Sequence, residues 1–188
     1  IATVLPFSVP VLLIDSGANV ELDPENYVQF AKMGSVYIRS ILGKPTPRVG
    51  LLNIGAERIK GTAVLREAYA LLEADSDVNF IGNAEARDVP YGVCDVVVCD
   101  GFTGNVLLKF AEGVGALLMD RVKDVYSSSP AARLSGLAVR GELRKMKAEF
   151  DPDEYGGAPL LGLSKTVIKA HGSSDANAVK NAVEQAIK

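Results

Sequence analysis

The sequence predicts an α/β fold, a mainly parallel sheet packed between helices on both faces. Three observations carry that expectation. Four short runs, VPVLLID, RVGLLNIG, VNFIGN and CDVVVCD, are predominantly apolar, as strands buried on both faces are. The stretches between them return to an apolar residue every three or four positions, which is the helical period. Strand and helix then alternate along the chain, the order that builds a parallel sheet covered by helices.

Taken in order, a first strand is expected over 9–15, followed by the loop Ser16-Gly17-Ala18-Asn19. Pro24 stands at a first helical position after Asp23, where its missing N–H costs nothing. Tyr27, Phe30, Ala31, Gly34, Tyr37 and Ile41 continue at helical spacing. A second strand is expected over 48–55, and Val64, Leu65, Ala68, Leu71 and Leu72 make the next helix. Strands over 78–83 and 94–100 follow. Val106, Leu107, Phe110, Val114, Leu117, Leu118, Val122 and Val125 predict a long helix, broken by SSSP at 127–130. A second helix over 131–149 carries Val139, Leu143, Met146 and Phe150 on one face and Arg133, Arg140, Arg144 and Lys147 on another. From 133 to 147 five basic residues meet one acidic residue, Glu142, a local charge of +4 in a chain of net charge −3. The segment 154–174 reads as a glycine loop, a short strand, a turn and a strand, with Ser173 or Ser174 capping a final helix.

The whole chain, 1–188, is expected to be one α/β unit with a helical hairpin protruding over about 112–149. Apolar residues make up 48% and charged residues 23%, an ordinary globular composition. No nucleic-acid motif or basic overall balance is present, so no nucleic-acid partner is expected. No apolar run approaches the roughly 18 residues of a spanning helix. The start, IATVLPFSVP, reads neither as a signal peptide nor as an initiation site, and the expectation is a piece whose N-terminal part is missing. Cys94 and Cys99 are five apart, so they are expected on opposite faces of one strand and unpaired. Buried, inert thiols in a reducing cytoplasm are one reading, and a thioester-attacking cysteine is the other. No side chain near either in sequence lowers its pKa.

Ligands of open parallel sheets bind beyond the carboxyl ends of the strands. Four segments end a strand with more glycine and short polar residues than a connection needs: DSGAN (15–19), NIGAERIKG (53–61), IGNAEARD (81–88) and DGFTGN (100–105). Parallel strands bring all four to one rim. In the last, Gly101 and Gly104 permit positive φ and close backbone approach. The helix behind it offers free N–H groups and a positive dipole end to an anion. Thr103 and Asn105 add side-chain hydrogen bonds, although Thr103 also suits an N-cap. Lys60 is the natural cation of this rim, as a point charge on phosphate. Asp100 and Asp15 either orient Lys60 or a hydroxyl, or cap their own loops. His171 precedes a helix, where a turn or capping role competes with catalysis. No phosphate loop, dinucleotide fingerprint or nucleophile elbow occurs, which argues against a kinase, a standard dinucleotide enzyme and a serine hydrolase.

Six blocks, LIDSGANVELDPENYVQFAKMGSVY, PRVGLLNIGAERIKG, NFIGNAEARD, DVVVCDGFTGNVLLK, YGGAPLLGL and VIKAHGSSDANAVKNA, resemble in this order the phosphate acyltransferases of bacterial phospholipid synthesis, the PlsX type. The resemblance implies acyl transfer from acyl carrier protein to inorganic phosphate, giving acyl phosphate. It also implies a three-layer α/β/α sandwich similar to phosphotransacetylases and isopropylmalate-dehydrogenase-like enzymes, and a cytoplasmic homodimer. The hairpin, 127–149, is then a peripheral membrane contact. The family's N-terminal half, with its DAMGGD and SAGNTG motifs, has no counterpart here. PFSVPV (6–11) is shorter than usual, and Thr62-Ala63 replaces the more frequent Asn-Glu after Lys60-Gly61.

Phosphate is anionic at neutral pH, so such a reaction requires positioning and oxyanion stabilisation rather than a strong general base or a covalent nucleophile, and no cofactor or metal is expected. Lys60 is assigned to charge stabilisation, Asn105, Thr103 and Gly104 to phosphate or oxyanion binding, and Asp100 to orientation. Asn53 and Asn83 are second-rank phosphate or substrate residues. Two further readings stand beside this one: a phosphotransacetylase acting on short acyl-CoA, and a membrane- or partner-binding fragment without activity.

Overall fold

In the computed structural model, residues 1–7, 9–149, 157–170 and 176–187 are described. Five strands form the main sheet: β1 (Ala2–Leu5), β2 (Val11–Ile14), β3 (Val49–Asn53), β4 (Phe80–Glu85) and β5 (Val96–Val98). Their spatial order is β1-β2-β5-β3-β4. β2, β5, β3 and β4 run parallel, with Ile14 opposite Val98, Val98 opposite Leu51 and Asn53 opposite Glu85. Their carboxyl ends therefore share one rim, as the sequence predicts. β1 is antiparallel to β2, Ala2 facing Ile14. Its four residues carry no turn signal before them, and the sequence reading leaves this edge strand out.

Alternation along the strands divides the core between the two faces of the sheet. Leu12, Ile14, Val49, Leu51, Val96 and Val98 pack beneath helices α1 (Pro24–Leu42) and α2 (Ala63–Ala74), which contribute Tyr27, Ala31, Ile38, Ala68 and Leu72. Val11, Leu13, Leu52, Val97 and Cys99 face the other side, where Leu107 and Leu108 of helix α3 (Gly101–Ser127) close on them. The result is three layers, α/β/α.

Cys94 and Cys99 both belong to the second face, which corrects the expected separation. The regular strand covers only 96–98, so Cys94 lies outside the alternation that spacing presumes. Both thiols are free and buried. Burial pushes Cys94 up to about 12 and Cys99 well above the ordinary thiol value.

Local chemistry fixes the ends of the covering helices. Asn26 accepts a bond from the Asp23 amide at 2.9 Å, fixing the start of α1, and Gly43 ends that helix at φ 65°. Thr62 caps α2, its hydroxyl accepting from the Leu65 amide at 3.2 Å. At the amino end of the sheet, Asp95 is 4% exposed and accepts from Lys44, from the Arg48 guanidinium and from the Arg48 amide. Burial raises its carboxyl, but these bonds outweigh burial and hold it at about 2.

α3 turns at Ser128-Ser129 into helix α4 (Pro130–Glu149), the hairpin predicted around SSSP. Ala132, Gly136, Val139 and Leu143 of α4 are half-buried, and the Tyr126 ring lies against Gly136. Val106, Phe110, Leu117, Leu118 and Val125 of α3 are exposed, so this helix has a second apolar face that the described residues leave uncovered. By length and composition α3 qualifies as a span, its best window having a mean hydropathy of 1.2. Lys109 and Glu112 interrupt its apolar residues and pair with each other at 2.8 Å. A groove of about 1210 Å³ lies between the hairpin and Thr3–Phe7.

Two further strands, β6 (Ala158–Pro159) and β7 (Ile168–Lys169), pair antiparallel as the expected strand, turn and strand. The final helix, α5 (Ala176–Ile187), is tied to α1 by a hydrogen bond from Gln185 to the Tyr37 hydroxyl. Ser173, Ser174 and His171 fall outside the described residues.

Candidate active site

The rim is built from the ends of β2, β5 and β3. After β2 the chain wraps around Asp15, which is fully buried. Its carboxylate accepts from the amides of Gly17, Ala18 and Asn19, and from the Asn19 side chain at 2.9 Å. Burial raises this carboxyl, and the bonds from Asn19 and Ala18 oppose that rise. Asp15 is thus the centre of its own loop, and its bonds stay within the rim's framework rather than reaching Lys60.

DGFTGN is not a loop before a helix but the first turn of α3. Asp100 is the N-cap: its carboxylate accepts from the Thr103 amide at 2.8 Å and from the Thr103 hydroxyl at 2.7 Å. The Gly101 amide donates to Asn19 O at 2.7 Å, and the Gly104 amide donates to Asp100 O at 2.9 Å. The protein's own carboxylate therefore occupies the positive end of this dipole. The Gly101, Thr103 and Gly104 N–H groups, expected to be free there, are spoken for.

The two glycines also act differently from the expectation. Neither has positive φ. A Cβ at Gly104 would fall on the carbonyl oxygen of Asp15, and one at Gly101 would lie 2.8 Å from Asn19 O. Their role is close approach: they let α3 dock directly on the loop after β2. This docking leaves Asn105 exposed at the rim, its amide carbon 3.5 Å from where a Cβ on Gly17 would stand.

On the neighbouring strand end, Asn53 is 8% exposed and bonds to Lys60 O, Asn83 Oδ1 and the Ile54 amide. Asn83 donates to Glu57 O at 2.9 Å. β4 continues to Glu85, so Asn83 lies inside that strand rather than in a terminal loop. Both asparagines point into the β3–α2 loop. Lys60 itself is exposed, its Nζ 4.0 Å from Glu57 Oε1.

The sequence candidates thus separate by what their polar atoms already do. Asp15, Asp100, Thr103, Asn53 and Asn83 are engaged with the framework. Lys60 keeps an ammonium with one distant counter-ion, and Asn105 keeps a side-chain amide with no partner among the described residues. A phosphate anion is held mainly through donors, and Lys60 and Asn105 are two that the described framework leaves open. β5 and β3 are adjacent, so the two residues follow neighbouring parallel strands.

The α/β/α unit thus presents a lysine and an asparagine on the carboxyl rim of its sheet. The family of fatty acid synthesis proteins matches residues 1–188 throughout, and the chain belongs to that family. Phosphate acyltransferases are among its curated relatives. That of Halothermothrix orenii is 49% identical over 188 residues, covering 99% of this chain and 56% of the relative. Those of Shouchella clausii and Clostridioides difficile are 50% and 48% identical, covering 93% and 94% of this chain and 53% and 52% of theirs. The chain spans a little over half the length of these relatives.

Proposed function

We propose that this chain carries the phosphate-binding rim of an acyltransferase that moves a fatty acyl group from acyl carrier protein to inorganic phosphate. The product, acyl phosphate, feeds phospholipid synthesis. The single observation that carries this reading is the pair of open donors, Lys60 in the loop after β3 and Asn105 in the helix after the adjacent β5, in a chain of this family. A phosphate oxygen adds to the thioester carbonyl and the C=O π pair moves onto oxygen; the tetrahedral oxyanion then re-forms the carbonyl as the C–S bond breaks, and the thiolate leaves with the bonding pair. The Lys60 ammonium offsets the negative charge gathered on phosphate and the tetrahedral oxyanion. The Asn105 amide donates a hydrogen bond to one of them, a type of contribution worth roughly 2.7–4 kcal/mol where it has been measured for one such donor. Positioning contributes a comparable or larger part.

Cysteine attack finds no support: both thiols are buried and held protonated at neutral pH. In this reading the enzyme is a cytoplasmic homodimer touching the membrane surface through the hairpin. The exposed apolar face of α3 and the exposed Arg133, Arg140 and Arg144 support that part. The test is acyl-phosphate formation by the full chain, alone and joined to the further length its relatives carry, with acyl carrier protein or coenzyme A thioesters as donors. Long-chain transfer from the carrier protein is the expected result. Transfer from short acyl-CoA alone points to a phosphotransacetylase, and activity with neither removes the catalytic reading.

A further inference from the structure

We infer that Asn53 and Asn83 form a clamp that fixes the backbone of the Lys60 loop and so aims the Lys60 ammonium at phosphate, without touching phosphate themselves. This rests on the reading of the rim as a phosphate site. The Asn53 amide nitrogen donates to Lys60 O and to Asn83 Oδ1, both at 3.2 Å, while its oxygen accepts from the Ile54 amide at 2.8 Å. Asn83 then donates to Glu57 O at 2.9 Å. The loop is held at its start, its middle and its end. The Ile54 N–H can be met only by an oxygen, which settles the orientation of the Asn53 amide and leaves it no hydrogen for a ligand. An aspartate of the same shape at 53 has no N–H for Lys60 O or Asn83.

Two glycines complete the device. Gly61 has φ +88°, and a Cβ there would lie 2.8 and 2.9 Å from the Asn53 amide atoms. At Gly55 a Cβ would lie 3.1 Å from Lys60 Cγ and 3.3 Å from Cε, so the lysine stem runs across that glycine. Backbone and stem are fixed while the head stays exposed. Such a lysine meets phosphate with less ordering left to do, which raises affinity without adding a contact.

The test measures phosphate affinity of the full chain by 31P line broadening, with inorganic phosphate as the probe, and amide hydrogen exchange over 54–61. Asn53→Ala, and the less buried Asn83→Ala in case the first disturbs the fold, are expected to weaken phosphate about tenfold. They also speed exchange over 54–61 but not in α2. In a Lys60→Ala background the same changes are expected to have no further effect on phosphate, because the clamp acts through the lysine. An equal loss in both backgrounds makes the asparagines direct ligands and overturns the inference, as does unchanged affinity in the parent background. The failures are distinguishable: a parent chain that binds no phosphate removes the acyl-transfer reading itself.

Discussion

Lys60 and Asn105 hold nothing else in place, so their removal separates chemistry from folding. Lys60→Ala and Asn105→Ala are each expected to leave the melting temperature within about 2 °C of the parent, since surface changes cost under about 0.5 kcal/mol. Gly104 is the opposite case. Gly104→Ala puts a methyl group on the Asp15 carbonyl, and backbone cannot move aside as a side-chain tip can. A loss of about 3 kcal/mol or more is expected in denaturant unfolding, the upper end of overpacking costs. Sequence spacing showed that glycine mattered here, but not why. Positive φ and close approach leave the same residue in the sequence, and only the position of the loop after β2 distinguishes them. The thiols give a further residue-scale check. Neither Cys94 nor Cys99 is expected to react with a thiol reagent until denaturant opens the core, and prompt reaction of native protein contradicts their burial.

At the scale of elements, the parallel strands and their helices were legible because each buried face writes its period into the sequence. The hairpin was legible for the same reason, with SSSP as its break. β1 was not, because four residues at an edge leave too little pattern. Nor was the start of α3: DGFTGN has turn composition, yet Asp100 and Thr103 bond as an N-cap and first turn. The site followed the same division, for residue types named the candidates while only hydrogen-bond partners separated framework from free donors. The Asp95 cluster joins the starts of β3 and β5 and gives the sheet an acid limit. The folded carboxyl lies at about 2, below its ordinary value of 3.8, so its stabilisation is fully present above pH 4 and is lost as pH falls toward 2. That window corresponds to about 2 kcal/mol. Asp95→Asn is expected to lower stability at pH 7 and to flatten the dependence between pH 4 and 2, as followed by denaturant midpoints; an unchanged slope contradicts this role.

For the molecule as a whole, α3 runs from the rim into the hairpin, while Arg140 and Arg144 stand on α4, which carries none of the rim candidates. The groove against the hairpin reaches from Thr3, whose hydroxyl meets Ser16, to Phe7 beyond the start of β2. Surface attachment and phosphate chemistry should therefore be separable. Charge reversal at Arg140 and Arg144 is expected to reduce flotation with anionic vesicles at least threefold while phosphate affinity stays constant. Flotation that persists after reversal takes the basic face out of the explanation.

The most direct test of the central claim is acyl-phosphate formation from long-chain acyl carrier protein and inorganic phosphate, by the chain joined to its relatives' further length, with and without Lys60→Ala or Asn105→Ala. The expected result is transfer by the parent and a loss of at least a hundredfold in each variant, with melting temperatures unchanged. Near-normal turnover in either folded variant would contradict the assignment of the rim.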